Sequence, residues 1–166
     1  MHSASTAIAQ PRLMSERDLD AVLAVENAAY EFPWSRGNFI DSLAAGHVCR
    51  VLPDGQGRLL GYFVALPGVQ EMHLLNLTVA PPDQARGLGR FLLGELMCLC
   101  REHGASQLWL EVRPSNQRAM RIYRRFGFEV CSVRRNYYPA ARGAREDAIV
   151  MSLNVADSIG AANALD

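Results

Sequence analysis

No lysine occurs among the 166 residues, so all seventeen basic side chains are arginines. A P-loop needs the lysine of G-K-[ST], and phosphate chemistry of that type is thereby excluded. Charge of either sign is in no excess, because seventeen acidic residues balance the basic ones. No global field draws such a chain to nucleic acid or to an anionic membrane, and neither partner is expected. No apolar run approaches the roughly 20 residues that span a bilayer. Met1 to Leu13 also lacks a basic stretch followed by an apolar core, so a cytoplasmic location is expected. Cysteine is scarce: Cys49, Cys98, Cys100 and Cys131 lack zinc-site spacing and read as reduced, mostly buried packing residues. His2, His47, His73 and His103 are scattered, so no metal centre is expected.

What is present suffices for one core. A chain that is 49% hydrophobic and 20% charged buries a sizeable interior, yet is too short for two ordinary domains. Small and polar residues without periodicity predict flexible tails at 1–12 and 154–166 around a domain over 13–153. Ser15 and Asp18 have capping-box spacing ahead of Leu19, Val22, Leu23 and Val25, which predicts a helix to about Tyr30. Pro33 interrupts it, and Ser35 caps a short second helix carrying Phe39, Ile40 and Leu43.

Val48 to Leu52 and Leu59 to Leu66 flank a Pro-Asp-Gly-Gln-Gly turn and read as a hairpin, followed by a strand from Met72 to Val79. Gly87 to His103 is an amphipathic helix with Leu88, Phe91, Leu92, Leu96 and Leu99 on one face. Gln107 to Val112 is an apolar strand interrupted by Glu111. Ser115 or Asn116 caps a last helix ending at Gly127, and strands at Phe128 to Tyr138 and Asp147 to Leu153 close the chain across a polar loop. The order gives an α/β (α+β) class, a mixed sheet packed against about four helices.

One turn carries a chemical signal. Val79 to Arg90 passes from a strand through Gly87-Leu88-Gly89 into a helix. The first N–H groups of a helix have no partner within it, and its dipole adds about half a positive charge there. Gly87 and Gly89 let an anion approach those groups, while Arg86 and Arg90 add full charges. Glu111, about twenty residues on, imitates a dinucleotide fingerprint. The third small position is Leu92, however, and too little chain follows to complete a doubly wound sheet. Coenzyme A, a pyrophosphate on a thin pantetheine arm, fits what remains.

Asn116 and Tyr123 stand seven apart on the last helix with Ala119 between them, a stripe that lines a groove or, equally, merely caps and packs the helix. Acyl transfer to an amine needs a base, since an α-amino group of pKa about 7.7–8.0 is mostly protonated at pH 7. Glu111 is placed to take that proton, directly or through water, or else to pair with a cation such as Arg113. Tyr123 suits delivery of a proton to a departing thiolate. Main-chain N–H groups at Leu77-Thr78-Val79 would serve a tetrahedral oxyanion. No histidine lies near Cys98, Cys100 or Cys131 in sequence to activate a thiol, so direct attack is expected.

Over about residues 13–153 the chain resembles the GCN5-related N-acetyltransferase (GNAT) superfamily, and within it the RimI family of ribosomal-protein alanine N-acetyltransferases. The residues carrying the likeness are Phe32-Pro33-Trp34-Ser35, Asn76-Leu77-Thr78-Val79, Arg86-Gly87-Leu88-Gly89-Arg90, Leu108 to Arg113, Ser115-Asn116, Tyr123 with Gly127-Phe128, Arg134 to Pro139, and Arg145 to Ala148. The resemblance implies a mostly antiparallel, twisted sheet flanked by about four helices. It implies acetyl-CoA as cosubstrate, held by Leu77, Thr78, Val79, Ala85, Arg86, Gly87, Leu88, Gly89, Arg90 and Asn116, with Glu111 as proton acceptor and Tyr123 as proton donor.

By the same likeness Phe32, Trp34, Glu71, Tyr137 and Tyr138 contact the acceptor peptide, and Glu71 or His73 is an alternative base. The implied substrate is the alanine amino terminus of the eighteenth small-subunit ribosomal protein. Other amino termini, lysines, a small-molecule amine, or a non-enzymatic acyl-CoA-responsive domain are the alternatives; oligomeric state is left open. Two departures stand out: Thr78 where the family usually has alanine, and Ala85 where a longer polar residue is common.

Overall fold

A computed structural model describes residues 10–156. The predicted tails 1–12 and 154–166 fall largely outside those residues. Of the parts that are described, Arg12–Leu13 form a short strand, β1, which the sequence did not signal, and Val155 is buried with its N–H donating to Ser106 O (2.9 Å).

After β1 a 3-10 turn (Glu16–Asp18) leads into α1 (Leu19–Ala29), and Ser15 N–H donates to Asp18 Oδ2 at 2.8 Å as the capping spacing predicts. Leu19, Val22 and Glu26 are the buried face of α1, so its core stripe contains a carboxylate. Tyr30 turns extended, and the loop through Pro33 ends at Ser35, whose Oγ accepts the Asn38 N–H to cap α2 (Arg36–Ala44).

β2 (Val48–Pro53) and β3 (Leu59–Pro67) form the expected pair, with Asp54 Oδ1 accepting the Gln56 and Arg58 N–H groups (both 2.8 Å) in the turn. β3 is buried from Leu60 to Ala65, the unbroken apolar burial of an interior strand. β4 (Glu71–Val79), α3 (Leu88–Glu102), β5 (Gln107–Val112) and α4 (Gln117–Phe126) follow within one residue or two of their predicted bounds. β6 (Glu129–Pro139) and β7 (Arg145–Asn154) reach further toward each other than expected. Main-chain pairing continues to Pro139–Arg145, leaving a shorter connection than the predicted polar loop.

Seven strands make one sheet in the order β1-β2-β3-β4-β5-β7-β6. β4 and β5 are parallel, joined through α3, whereas β1–β2, β5–β7 and β6–β7 are antiparallel. The fold class is therefore the mixed, mostly antiparallel α/β arrangement expected. Parallel pairing of β4 with β5 runs from Glu71–Gln107 to Leu74–Leu110, and β4 continues beyond that register to Val79.

Contacts divide the chain into two compact units: Met1–Val64 with Asn76–Leu92, and Ala65–Leu75 with Leu93–Asp166. Buried apolar residues fill each. The first contains Leu19, Val22, Phe39, Leu52, Tyr62, Phe63 and Leu92; the second contains Leu93, Leu96, Leu108, Leu110 and Met151. Gly61 has a packing reason in the first unit, where a Cβ would lie 2.7 Å from Thr78 O. Only a residue without a side chain lets β3 approach β4 at that point.

The cysteine expectation needs correcting. Cys49 and Cys100 are buried, but Cys98 and Cys131 are exposed, because Cys98 lies on the outer side of α3 from Cys100 and β6 is an edge strand. All four are free thiols. Among the described residues no helix is long and apolar enough to cross a membrane.

Candidate active site

The predicted cradle lies in the first unit, at the entry to α3. A 3-10 turn (Pro81–Asp83) is followed by Ala85 at φ 62° and Gly87 at φ 79°, with α3 starting at Leu88. Left-handed residues spaced in this way curl the main chain into a concave arc of N–H groups, an anion-binding geometry. A Cβ built on Gly87 meets no protein atom within 4 Å, so the space over the turn is open. A pyrophosphate fits that opening chemically. Ala85, noted above as a departure, occupies a left-handed position with its minimal side chain.

The turn is braced from below. Asp83, 3% exposed, accepts Arg58 Nη1 (2.7 Å) and Nη2 (2.9 Å) in a bidentate pair and Arg86 Nη1 at 3.1 Å, while Gln84 Nε2 donates to Val79 O (3.1 Å). The Arg58 guanidinium holds the Asp83 carboxyl below the usual carboxylate range. A depressed folded-state pKa contributes stability above the unfolded value near 3.9, and that contribution is lost as pH falls through the folded pKa. Asp83→Asn is accordingly expected to lower Tm by roughly 3–6 °C at pH 7, with the gap to wild type closing below about pH 4. Thermal melts across that range check it.

Leu77, Thr78 and Val79 form the end of β4, with Thr78 buried and its neighbours half-buried. The Thr78 hydroxyl is well placed despite departing from the family pattern: it donates to Asn76 Oδ1 (2.7 Å) and lies 2.7 Å from Tyr30 Oη. Beneath it sits Glu26, 1% exposed, accepting Trp34 N–H (3.2 Å), Asn76 Nδ2 (3.1 and 3.3 Å) and the Tyr62 hydroxyl. Burial pushes the Glu26 carboxyl up and pushes Tyr30 up to about 12. Sequence reasoning passed over this cluster. Its signal was present, a glutamate at i+7 from Leu19 and i+4 from Val22 on the apolar stripe of α1. In the adjoining loop, Trp34 packs on Phe39 (5.2 Å between centroids) and Phe32 is exposed.

Glu111, Tyr123, Asn116, Glu71, Tyr137 and Tyr138 all belong to the second unit. Glu111 projects from β5 and its side chain is 6% exposed. Its Oε2 lies 2.5 Å from His73 Nε2 on β4, and its Oε1 lies 3.4 Å from Arg134 Nε on β6. The His73 ring stacks on Trp109 at 3.6 Å, which fixes the imidazole plane. Of the cations allowed for Glu111, Arg113 or another, it is Arg134 that lies beside it, and Arg113 bonds Glu146 (3.2 Å) and Pro139 O (2.8 Å). Among the described residues no group of three or more His, Cys, Asp and Glu side chains that could hold a metal occurs.

Tyr137 and Tyr138 meet edge-to-face at 4.8 Å, with Arg134 over the first ring and Arg113 over the second. Burial, and after it the Glu111 charge, raise both phenols. A register shift between Arg134 and Tyr138 re-aims these side chains, and Arg145 secures it by donating to Asn136 O and Tyr137 O. Glu71 is exposed at the start of β4. Asn116 Oδ1 accepts the Ala119 N–H (3.2 Å), so its capping role is real, and Tyr123 is buried against Phe128 at 5.6 Å.

The family model described as the Acetyltransferase (GNAT) family matches residues 19–128. The [ribosomal protein bS18]-alanine N-acetyltransferase of Salmonella typhimurium is 38% identical over 143 residues, 86% of this chain and 95% of its own length. Its Escherichia coli K12 counterpart is 38% identical over 138 residues, 83% of this chain and 92% of its own. The crystal structure of the ribosomal-protein-S18-alanine N-acetyltransferase from Escherichia coli matches with a TM-score of 0.80 at 36% identity, covering 88% of this chain and 93% of that one. With a glycine cradle at the start of α3, a buried glutamate on β5 and a tyrosine on α4, the chain belongs to the GNAT acetyltransferase family, in its RimI branch.

Proposed function

We propose that the chain transfers the acetyl group of acetyl-CoA to the amino terminus of a protein beginning with alanine, with ribosomal protein bS18 as its principal substrate and the cytoplasm as its place of work. The observation that carries this reading is 38% identity, along nearly the full length, to enzymes bearing that activity in their names.

Acetyl-CoA supplies an activated thioester. Leu77, Thr78, Val79 and Ala85 to Arg90 hold it, with Asn116 as a further contact. Glu111 accepts the proton of the attacking amine, and His73 and Arg134 orient its two oxygens. Tyr123 delivers a proton to the CoA thiolate, which resembles a cysteine of pKa about 8.5. Phe32, Trp34, Glu71, Tyr137 and Tyr138 line the acceptor peptide. Attack is direct: no histidine lies near Cys98, Cys100 or Cys131 in sequence to activate a thiol, and burial pushes the Cys49 and Cys100 thiols up to about 11.

The test compares a peptide beginning Ala-Arg with the same peptide carrying a blocked terminus and an internal lysine. The chain has no lysine of its own, so lysine self-acetylation adds no background. Transfer to the free terminus alone is expected. Equal rates on the blocked peptide would overturn the terminal-amine assignment, and CoA binding without turnover on any amine would make the chain a sensing domain instead.

A further inference from the structure

Glu26 has no part in the proton transfers above, yet it is the acceptor for three donors from three segments. Trp34 N–H comes from the loop between α1 and α2, the Tyr62 hydroxyl from β3, and Asn76 Nδ2 from β4. Asn76 in turn accepts from Thr78, and Tyr30 Oη donates to Leu77 O at 3.3 Å. One carboxylate thus joins the main chain of the aromatic loop to the side chains at the end of β4. A carboxylate at 1% exposure is costly to bury, and this cost is offset only when its lone pairs are filled. It is also the side-chain type that takes several donors without offering one back.

We propose that Glu26 is a positioning residue for the acceptor peptide: its carboxylate fixes the Phe32–Trp34 loop against the Asn76–Val79 end of β4, and thereby sets which amino termini are accepted. The proposal rests on the reading of that loop as a wall of the peptide site. The two attachments differ in what else supports them. β4 is an interior strand, with β3 and β5 as its neighbours in the sheet order, whereas Trp34 N–H is anchored through the carboxylate itself. Weakening the carboxylate therefore loosens the main chain of the loop at Trp34, whose ring still packs on Phe39, and leaves the strand in place.

Glu26→Gln keeps the size but offers one acceptor oxygen where two stood. It is expected to raise KM for an alanine-terminal peptide about tenfold, the loss of roughly 1.4 kcal/mol of binding, and to reduce discrimination against peptides with other first residues by a similar factor. KM for acetyl-CoA and kcat should stay within about twofold, a split that general destabilisation would not produce. Tyr62→Phe removes one donor without changing packing volume, and should move the same constants the same way, by about threefold.

If Glu26→Gln does not fold, Tyr62→Phe decides. Folded variants with unchanged peptide KM, or with all three constants and Tm worsening together, would reduce Glu26 to a core residue. Wild-type protein inactive on every amino terminus would sink the functional reading, and this proposal with it; an active wild type with either of the former results sinks the proposal alone.

Discussion

Glu111→Gln is expected to cut turnover on an alanine-terminal peptide by about 10²–10⁴-fold, the span of general-base contributions, while the affinity for acetyl-CoA changes little. The amide keeps the shape of the carboxylate and can still meet His73 and Arg134, so the loss is one of proton acceptance rather than of packing. Cofactor affinity should be spared because the proposed cofactor contacts lie at other residues.

The pH dependence gives the sharper signature. An α-amino group titrates near 7.7–8.0, so without a base the reactive neutral amine must come from solution, and its fraction grows about tenfold per pH unit below that value. The kcat/KM profile of the variant should therefore climb toward higher pH where wild type has levelled. A pH–rate series on both proteins measures this. An unchanged profile would move the base role to Glu71, to His73 or to water. His73 gains interest as an alternative from its 2.5 Å contact with Glu111.

Gly87→Val carries the second large effect. At φ 79° a β-branched residue is strained, and the turn relaxes by re-aiming the N–H groups that open α3. The new side chain would also enter the space over the turn, where no protein atom lies within 4 Å of a Cβ. Strain costs about 1–3 kcal/mol and a few degrees of Tm. Loss of aligned donors to a pyrophosphate adds a separate cost in binding, so the Kd for CoA should rise at least ~30-fold. Calorimetric titration with CoA beside a thermal melt separates the two. A Kd that stays put while Tm drops would show that the anion is held elsewhere, and the cradle assignment would fail.

The elements of this fold were legible because their signals are short-ranged. Ser35 announces α2 by bonding three residues ahead, and the leucine spacing of α3 is a property of one helix. Gly87 was legible for the same reason, since a turn and the helix it opens are contiguous. The candidate base was visible as a charge in an apolar strand, but which cation pairs with it, Arg113 or another, was not. Arg113 engages Glu146, and Glu111 faces His73, 38 residues earlier, together with Arg134 from an edge strand.

Misreading Cys98 and Cys131 as buried has a related cause. Which side of a helix or strand faces inward depends on what packs there, and an edge strand exposes positions that a central strand hides. Glu26 shows the same limit most plainly. Its place on the α1 stripe was written in the spacing with Leu19 and Val22, but the three donors that make the burial tolerable come from residues 8, 36 and 50 positions away.

Sequence alone determined the periodicities, the caps, the glycine turn and the family likeness, since each is carried by residues within a few turns of one another or by a motif read in order. Tertiary structure decided the pairing of Glu111 with His73, the capture of Arg113 by Glu146 and the joining of a loop to a strand through Glu26. Those depend on strand register and on which side chains are driven out of water together, and both are set only when distant segments pack.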